Sequence, residues 1–218
     1  VFDQGQLGSC TGNGIASELE AQAIAEGNPV QPFSRLFIYY NERVSENNVN
    51  TDSGADIRTG IKSVATQGVC LEFQWPYDIS KFTNKPPDSC YEDALQWEAL
   101  KYESVTQNLM QIKSALNTGR GLVIGISVYP SFESDDVAKT GIVPMPNTEE
   151  NLLGGHCVRL CGFSDIDLND IPAHHFIGQN SWGTSWGKNG YFFIPYDYIL
   201  NSGLASDFWL ITVVGPSK

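Results

Sequence analysis

Two observations predict an α+β fold for this 218-residue chain. Its first half carries apolar residues at helical spacing, whereas its second half carries short apolar runs of strand length rich in branched residues. Helices and strands therefore segregate along the chain instead of alternating. The composition changes near residues 105–120. The expectation is one domain over 1–218, with a helical lobe over about 1–110 and a sheet-rich lobe over about 111–218. A cleft between two such lobes is a natural ligand site.

The first helix is expected from Cys10, because Ile15, Leu19 and Ile24 recur at helical spacing among Ala16, Ala21, Ala23 and Ala25. Gly27 supplies its stop and Asn28-Pro29 prevents continuation. Phe33 to Asn41 reads as a second, strongly apolar helix with Ser34 as N-cap. Residues 45–54 are polar and turn-rich, hence a surface loop. A third helix runs from Ala55 to Gln67, with Ile57, Ile61, Val64 and Ala65 on one face and Gly68 at its end. The segment 74–90, with Pro76, Pro86 and Pro87, is irregular, and 92–101 reads as a short helical stretch. Thr106 to Asn117 is a further helix, ended by Gly119. Strands are expected at Leu122–Val128, His156–Phe163, His174–Gln179, Tyr191–Ile194 and Ile211–Val214.

A formal net charge of −12 argues against non-specific binding to nucleic acid or anionic membranes, which requires a basic surface. Solubility explains the charge, and cationic substrates are a weaker alternative. There is no run of about 18 apolar residues, so no membrane span is expected. The chain opens at Val1 without Met or a charged leader, which suggests a processed product.

Five cysteines leave at least one outside any intrachain bridge. Cys70 and Cys90 bracket the Pro-rich loop and either form a disulfide or stay as thiols. Cys157 and Cys161 share one face of a strand but lie about 13 Å apart along it, so they read as core thiols.

Cys10 differs, because it ends the glycine-rich stretch Asp3-Gln4-Gly5-Gln6-Leu7-Gly8-Ser9-Cys10 at a helix N-terminus. Unpaired N–H groups and the macrodipole there favour a thiolate, the reactive form of cysteine. Gln4, six residues earlier, supplies an amide able to donate to an oxyanion formed beside the sulfur. Alone, Cys10 also reads as a small buried hydrophobe. His156 opens a strand behind Gly154-Gly155, and two glycines there let another backbone approach closely. His174 and His175 are rivals, although adjacent strand residues point to opposite faces. No Cys/His pairs have compact ligand spacing, so no metal or other cofactor is expected. Asn180-Ser181-Trp182-Gly183-Thr184-Ser185-Trp186-Gly187-Lys188-Asn189-Gly190-Tyr191 is the most specific stretch. The amide at its head would fix an imidazole tautomer, with an indole shielding the bond; alone, it reads as an aromatic-rich hairpin.

Together, Gln4-Gly5, Gly8-Ser9-Cys10, Gly155-His156 and Asn180-Ser181-Trp182-Gly183 resemble the papain-like cysteine peptidase family of C1 type. The Cys-to-His separation is 146 (156 − 10), inside the family range of about 130–150. The resemblance runs from Asp3 to about Phe208. It implies a two-lobe fold: a helical lobe, a sheet-rich lobe that is barrel-like, and an active-site cleft between them. It also implies that Cys10 attacks as a thiolate paired with protonated His156, that Asn180 orients His156, and that Gln4 with the Cys10 N–H stabilises the oxyanion. Trp182 would cover the His–Asn bond. Gly54 and Ala55 would lie along the substrate backbone. Ile57 and Gly154, with Ile126 and Leu204, would form the pocket for the residue two before the cut, which is expected to be apolar.

The chain departs from the family in two places. Thr11 stands where an aromatic usually follows the nucleophile, and Leu7 stands where a cysteine usually sits, while its partner region Asp52–Gly54 also lacks cysteine. One family disulfide is thus absent in both halves. The leading expectation is an endopeptidase acting on peptide or protein substrates, monomeric, with a pro-segment or protein inhibitor as a further partner. A secreted or endolysosome-like location is expected ahead of cytoplasm. An exopeptidase or ligase on the same fold would need an element closing one end of the cleft, and none is evident. A pseudo-peptidase is disfavoured because all four catalytic positions carry competent residues.

Overall fold

A computed structural model describes residues 1–27, 32–97 and 99–213, and only the backbone at Ala99, Leu100 and Val213. The stop signal Asn28-Pro29 and the end of the last expected strand, Val214, lie outside the described residues. The chain divides into two compact units: Gln6–Glu103 with Ile211–Lys218, and Val1–Gly5 with Ser104–Leu210.

The first unit is helical. Its α1 (Cys10–Ala25) has eleven of its sixteen residues buried, which explains why an apolar stripe is only faintly visible in its sequence. Ile24 is the exception to the expected pattern, being half exposed. α2 (Arg35–Ser45) starts where Ser34 accepts the Phe37 N–H, and runs a full turn beyond the expected Asn41. Gly12 lets the two helices close up, since a Cβ there would sit 2.7 Å from the Arg35 carbonyl. α3 (Ile57–Gln67) is capped by Asp56 and buries Ile57, Ile61 and Val64, as its spacing predicts. A 3-10 turn (Ile79–Lys81) and α4 (Asp88–Ala94) follow. The expected helix over 92–101 is corrected: α4 ends at Ala94, residues 99–101 belong to the strand β1 (Ala99–Ser104), and Glu98 lies outside the described residues.

The second unit holds α5 (Leu109–Leu116), β2 (Leu122–Val128), α6 (Asp135–Thr140), β3 (Gly154–Ser164), β4 (His175–Gln179), β5 (Tyr191–Pro195), α7 (Tyr196–Leu200) and most of β6 (Ala205–Val213). β6 is longer than the expected Ile211–Val214, and its first half was not anticipated because Ser206 and Asp207 interrupt the apolar run. Neighbours β6-β2-β3-β4-β5 pair antiparallel in that order, with β1 beyond β6. Ile124, Ile126, Val158, Leu160, Phe176, Phe192 and Ile194 form its buried core with α5 residues Ile112 and Leu116.

This sheet is open, which corrects the barrel-like expectation. A barrel requires the end strands to pair with each other, whereas β1 and β5 end the order. The outer edge of β5 is taken instead by a loop: Phe193 N–H donates to Gly141 O at 2.7 Å and Val143 N–H to Phe193 O at 2.8 Å. Covering an edge in this way also blocks its pairing with another chain.

Candidate active site

In the sheet unit, the structure brings together four of the expected site residues. His156 lies near the start of β3, paired in register with Ile126 of β2, and is buried. Its Nε2 is 2.8 Å from Asn180 Oδ1. The Ser181 backbone N–H donates to that same Oδ1, also at 2.8 Å. A backbone N–H only donates, so the Asn180 atom is oxygen and His156 Nε2 must carry a hydrogen. Nδ1 is then the nitrogen whose protonation changes the charge of the ring. Burial lowers the His156 pKa below its ordinary value, and the Asn180 bond and the charge of Glu133 oppose the shift.

Trp182 stacks on the imidazole, with centroids 5.1 Å apart and planes at 28°. Trp182 in turn meets Phe132 and Trp186 edge-on. This aromatic packing keeps water from the His–Asn bond, where an exposed amide would exchange partners with solvent. Asn180 Nδ2 is buried and has no hydrogen-bond partner, a cost of roughly 1–3 kcal/mol carried at the site.

Gln4 joins this group from the other end of the sequence. Its N–H donates to Ser181 O at 2.8 Å, and its Oε1 accepts the Ser181 hydroxyl at 2.6 Å. With the carbonyl end engaged by Ser181, the other end of this amide is an NH₂ donor. Asp3 bridges to Trp182, and the Gly183 N–H donates to Phe2 O, so residues 2–4 are laid along 181–183. Ser181 was legible only as a flanking residue, although its position directly after the amide was the signal. At Gly154 and Gly155 an added Cβ would meet nothing within 4 Å, so the approach to β3 is open. Ile126 and Leu204 are both buried in the unit's core. His174 and His175 are engaged locally, against the Tyr196 ring and the Ala173 carbonyl respectively.

Cys10, Gly54, Ala55 and Ile57 belong to the helical unit. Cys10 is the first residue of α1, and Ser9 gives the helix no side-chain cap. The Ser9 hydroxyl is instead 2.5 Å from the Tyr77 hydroxyl and accepts from Asn13 Nδ2 at 3.0 Å. The helix dipole at this end favours negative charge on the Cys10 sulfur. The turn before it is held at Gly8, whose N–H donates to both Asp52 oxygens at 3.0 and 3.1 Å. Gly54 has φ +70, a backbone region glycine enters without strain.

Thr11, in the place of the family's aromatic, donates to Glu42 Oε1. Glu42 is wholly buried, its Oε2 has no hydrogen-bond partner, and burial pushes its carboxyl well above the ordinary range. This carboxyl lies in the helical unit close enough to Cys10 for negative charge on the sulfur to push its pKa up further.

All five cysteines are thiols. Cys70 and Cys90 do not form the bridge the loop allows; their thiols hydrogen-bond, and burial pushes both up. Cys157 is buried as expected, but Cys161 is only partly so. A register shift between Leu160 and Gly162 breaks the strand alternation there, and Cys161 Sγ donates to Ile177 O at 3.5 Å. Among the described residues, no helix is long and apolar enough to cross a membrane and no group of three His, Cys, Asp or Glu could hold a metal.

A buried imidazole held by an asparagine carbonyl, and a cysteine heading a buried helix, define a thiol hydrolase. The chain belongs to the papain family: the family model described as "Papain family cysteine protease" matches residues 1–210. It is an endopeptidase-type hydrolase that works through a Cys/His pair. It is 48% identical to an uncharacterized peptidase C1-like protein, L477, of Acanthamoeba polyphaga mimivirus, over 98% of this chain and 70% of that protein. Its fold matches the crystal structure of xylellain, a cysteine protease from Xylella fastidiosa, with TM-score 0.90 and 41% identity over 98% of this chain and 82% of the other. Cysteine proteinase 1 of Entamoeba histolytica is 24% identical over 88% of this chain, which spans 58% of that protein.

Proposed function

We propose that Cys10 is the nucleophile and His156 the acid–base partner of this peptidase, with Asn180 orienting the imidazole and Gln4 stabilising the oxyanion. The observation that carries the reading is the His156–Asn180 bond at 2.8 Å, whose polarity the Ser181 N–H fixes. The Cys10 thiolate attacks the peptide carbonyl, and the oxyanion takes hydrogen bonds from the Gln4 amide and the Cys10 N–H. His156 Nδ1–H then protonates the leaving amine, leaving a thioester on Cys10. His156, now neutral, removes a proton from water, which attacks the thioester and releases the acid. A thiolate beside the imidazole favours its charged form and offsets the lowering by burial.

Peptides and proteins are the substrates. Gly54 and Ala55 bind the substrate backbone, Ile57 and Gly154 contribute to the pocket two residues before the cut, and an apolar residue is preferred there. Trp182 lines the leaving-group side. A pro-segment or protein inhibitor binding the same residues is the expected regulator, and the peptidase acts as a monomer.

The test is limiting alkylation at about pH 5, where an ordinary thiol with pKa near 8.5 is almost wholly protonated. Cys10 alone should be labelled, because burial makes Cys70 and Cys90 poorer nucleophiles still. Cys10→Ala should abolish cleavage of fluorogenic peptides. A Cys10 that stays unlabelled when native but reacts once unfolded, with no peptide cleaved, rejects the assignment.

A further inference from the structure

The disulfide that in the papain family ties the nucleophile's turn to the loop facing it has neither cysteine here, at Leu7 or in Asp52–Gly54. The helical unit fills each half differently. Leu7 is 3% exposed and packs with Leu36 and Tyr39 as an apolar plug. Asp52 faces the turn as an acceptor, taking the Gly8 N–H on both oxygens and the Tyr39 hydroxyl on Oδ1 at 2.5 Å. The Tyr39 residue is itself fully buried, and the Arg43 guanidinium lies 3.9 Å from its ring centroid. That guanidinium is fixed by four bonds to the carbonyls of Tyr39, Val49, Thr51 and Phe82. The 49–52 loop is thus nailed to a buried cation, and its exposed carboxylate reaches from a rigid base. Gly8 admits the contact closely, since a Cβ there would stand 3.0 Å from Asp52 Oδ1.

We propose that Asp52 is a positioning residue for catalysis: by bridging the Gly8 amide and the Tyr39 hydroxyl it holds the turn that carries Cys10, in place of a covalent tie. The nucleophile's placement is then indifferent to reduction. The proposal rests on Cys10 being the nucleophile. Ordinary carboxylate chemistry supports it, because an ionised acceptor forms hydrogen bonds about twice as strong as a neutral one. Small misplacement is also costly, since about 1 Å at a reacting atom loses on the order of 100-fold in rate.

The experiment compares wild type, Asp52→Asn, Asp52→Ala and Tyr39→Phe, using kcat and KM on a fluorogenic peptide, the rate of Cys10 alkylation, and thermal melting. Asp52→Ala should lower kcat and Cys10 alkylation by about tenfold or more, with KM and melting temperature little changed. Asp52→Asn, which keeps one acceptor, should lie between, and Tyr39→Phe should lose about threefold. In wild type, once Cys10 is fully reduced, kcat should stay level as a dithiol reductant is raised further. Unchanged kcat and alkylation in Asp52→Ala overturn the proposal, as does a kcat that falls with added dithiol. Losses that merely track lowered melting also overturn it. Where the Asp52 variants fail to fold, Tyr39→Phe decides by the same measures, and an unchanged rate there overturns it. Full activity in Cys10→Ala would instead reject the nucleophile assignment, so the two failures are distinguishable.

Discussion

The Ser181 hydroxyl donates to Gln4 Oε1 at 2.6 Å, linking residues 177 positions apart. The same serine gives its N–H to Asn180 Oδ1 and takes the Gln4 N–H on its carbonyl. One residue thereby aligns the amide proposed for the oxyanion and the amide that holds His156.

Removing that hydroxyl should loosen Gln4 without emptying the site. Ser181→Ala is expected to lower kcat about tenfold at nearly constant KM, and Gln4→Ala by on the order of 100-fold. The double variant should be no slower than Gln4→Ala, since the two act as a unit. Steady-state kinetics on one peptide measures all three, and additive losses would show that Ser181 works elsewhere.

Burial and the Asn180 bond act on the charge of His156 in opposite directions. Burial holds the imidazole below its ordinary pKa, so as pH falls through about 6.5 the unfolded chain binds more protons than the native one. With Cys10 replaced by Ala, native stability contributed by neutral His156 is therefore complete above that pH and declines on acidification. Asn180→Asp places a carboxylate at Nε2 and should raise the His156 pKa. Imidazole NMR titration of both proteins, with Cys10 replaced by Ala, reads the shift directly.

Glu20 gives the opposite sign. Its carboxyl is raised from 4.5 to about 7, chiefly by burial, against the pull of the Phe33 N–H bond. Between those values the native state holds the proton more tightly, so stability falls as pH rises toward 7. Glu20→Gln should remove that slope, about 2 kcal/mol once partial exposure is discounted. Urea melts at a series of pH values test it, and an unchanged slope would assign the effect to another group.

Gly60 makes room for the acid beneath Thr11. A Cβ there would stand 2.4 Å from Glu42 Oε2 and 2.7 Å from Ile15 Cδ1. Gly60→Ala should therefore destabilise the protein by about 1–3 kcal/mol through overpacking, despite the better helix propensity of Ala. Glu42→Gln, neutral and of similar shape, should melt like wild type below about pH 4.5 and increasingly higher than wild type as pH rises above it, because the unfolded wild-type carboxyl ionises there while the buried one resists.

What could be read from the residues was mostly local. Ser34 capping, the spacing of Ile57, Ile61 and Val64, and the amide–Trp–Gly run from Asn180 all act within a few positions. Sheet closure depends on distant pairing, and the loop from Gly141 that occupies the β5 edge has no strand-like sequence to announce it. β1 was misread because Ala, Leu and Lys favour helix, and its neighbours in the sheet override that preference. Thr11 looked like a lost aromatic; that it holds a buried acid contributed by α2 follows only from helix packing.

The interlaced division of the chain has a consequence for synthesis. The sheet unit needs Val1–Gly5, and the helical unit needs Ile211, whose carbonyl accepts Gln22 Nε2 at 2.5 Å. A ribosome that has released only the amino-terminal half has therefore completed neither unit, and Gln4 must wait for Ser181. Cys10 is translated before His156, so a partly made chain carries the proposed nucleophile without its proposed acid–base partner.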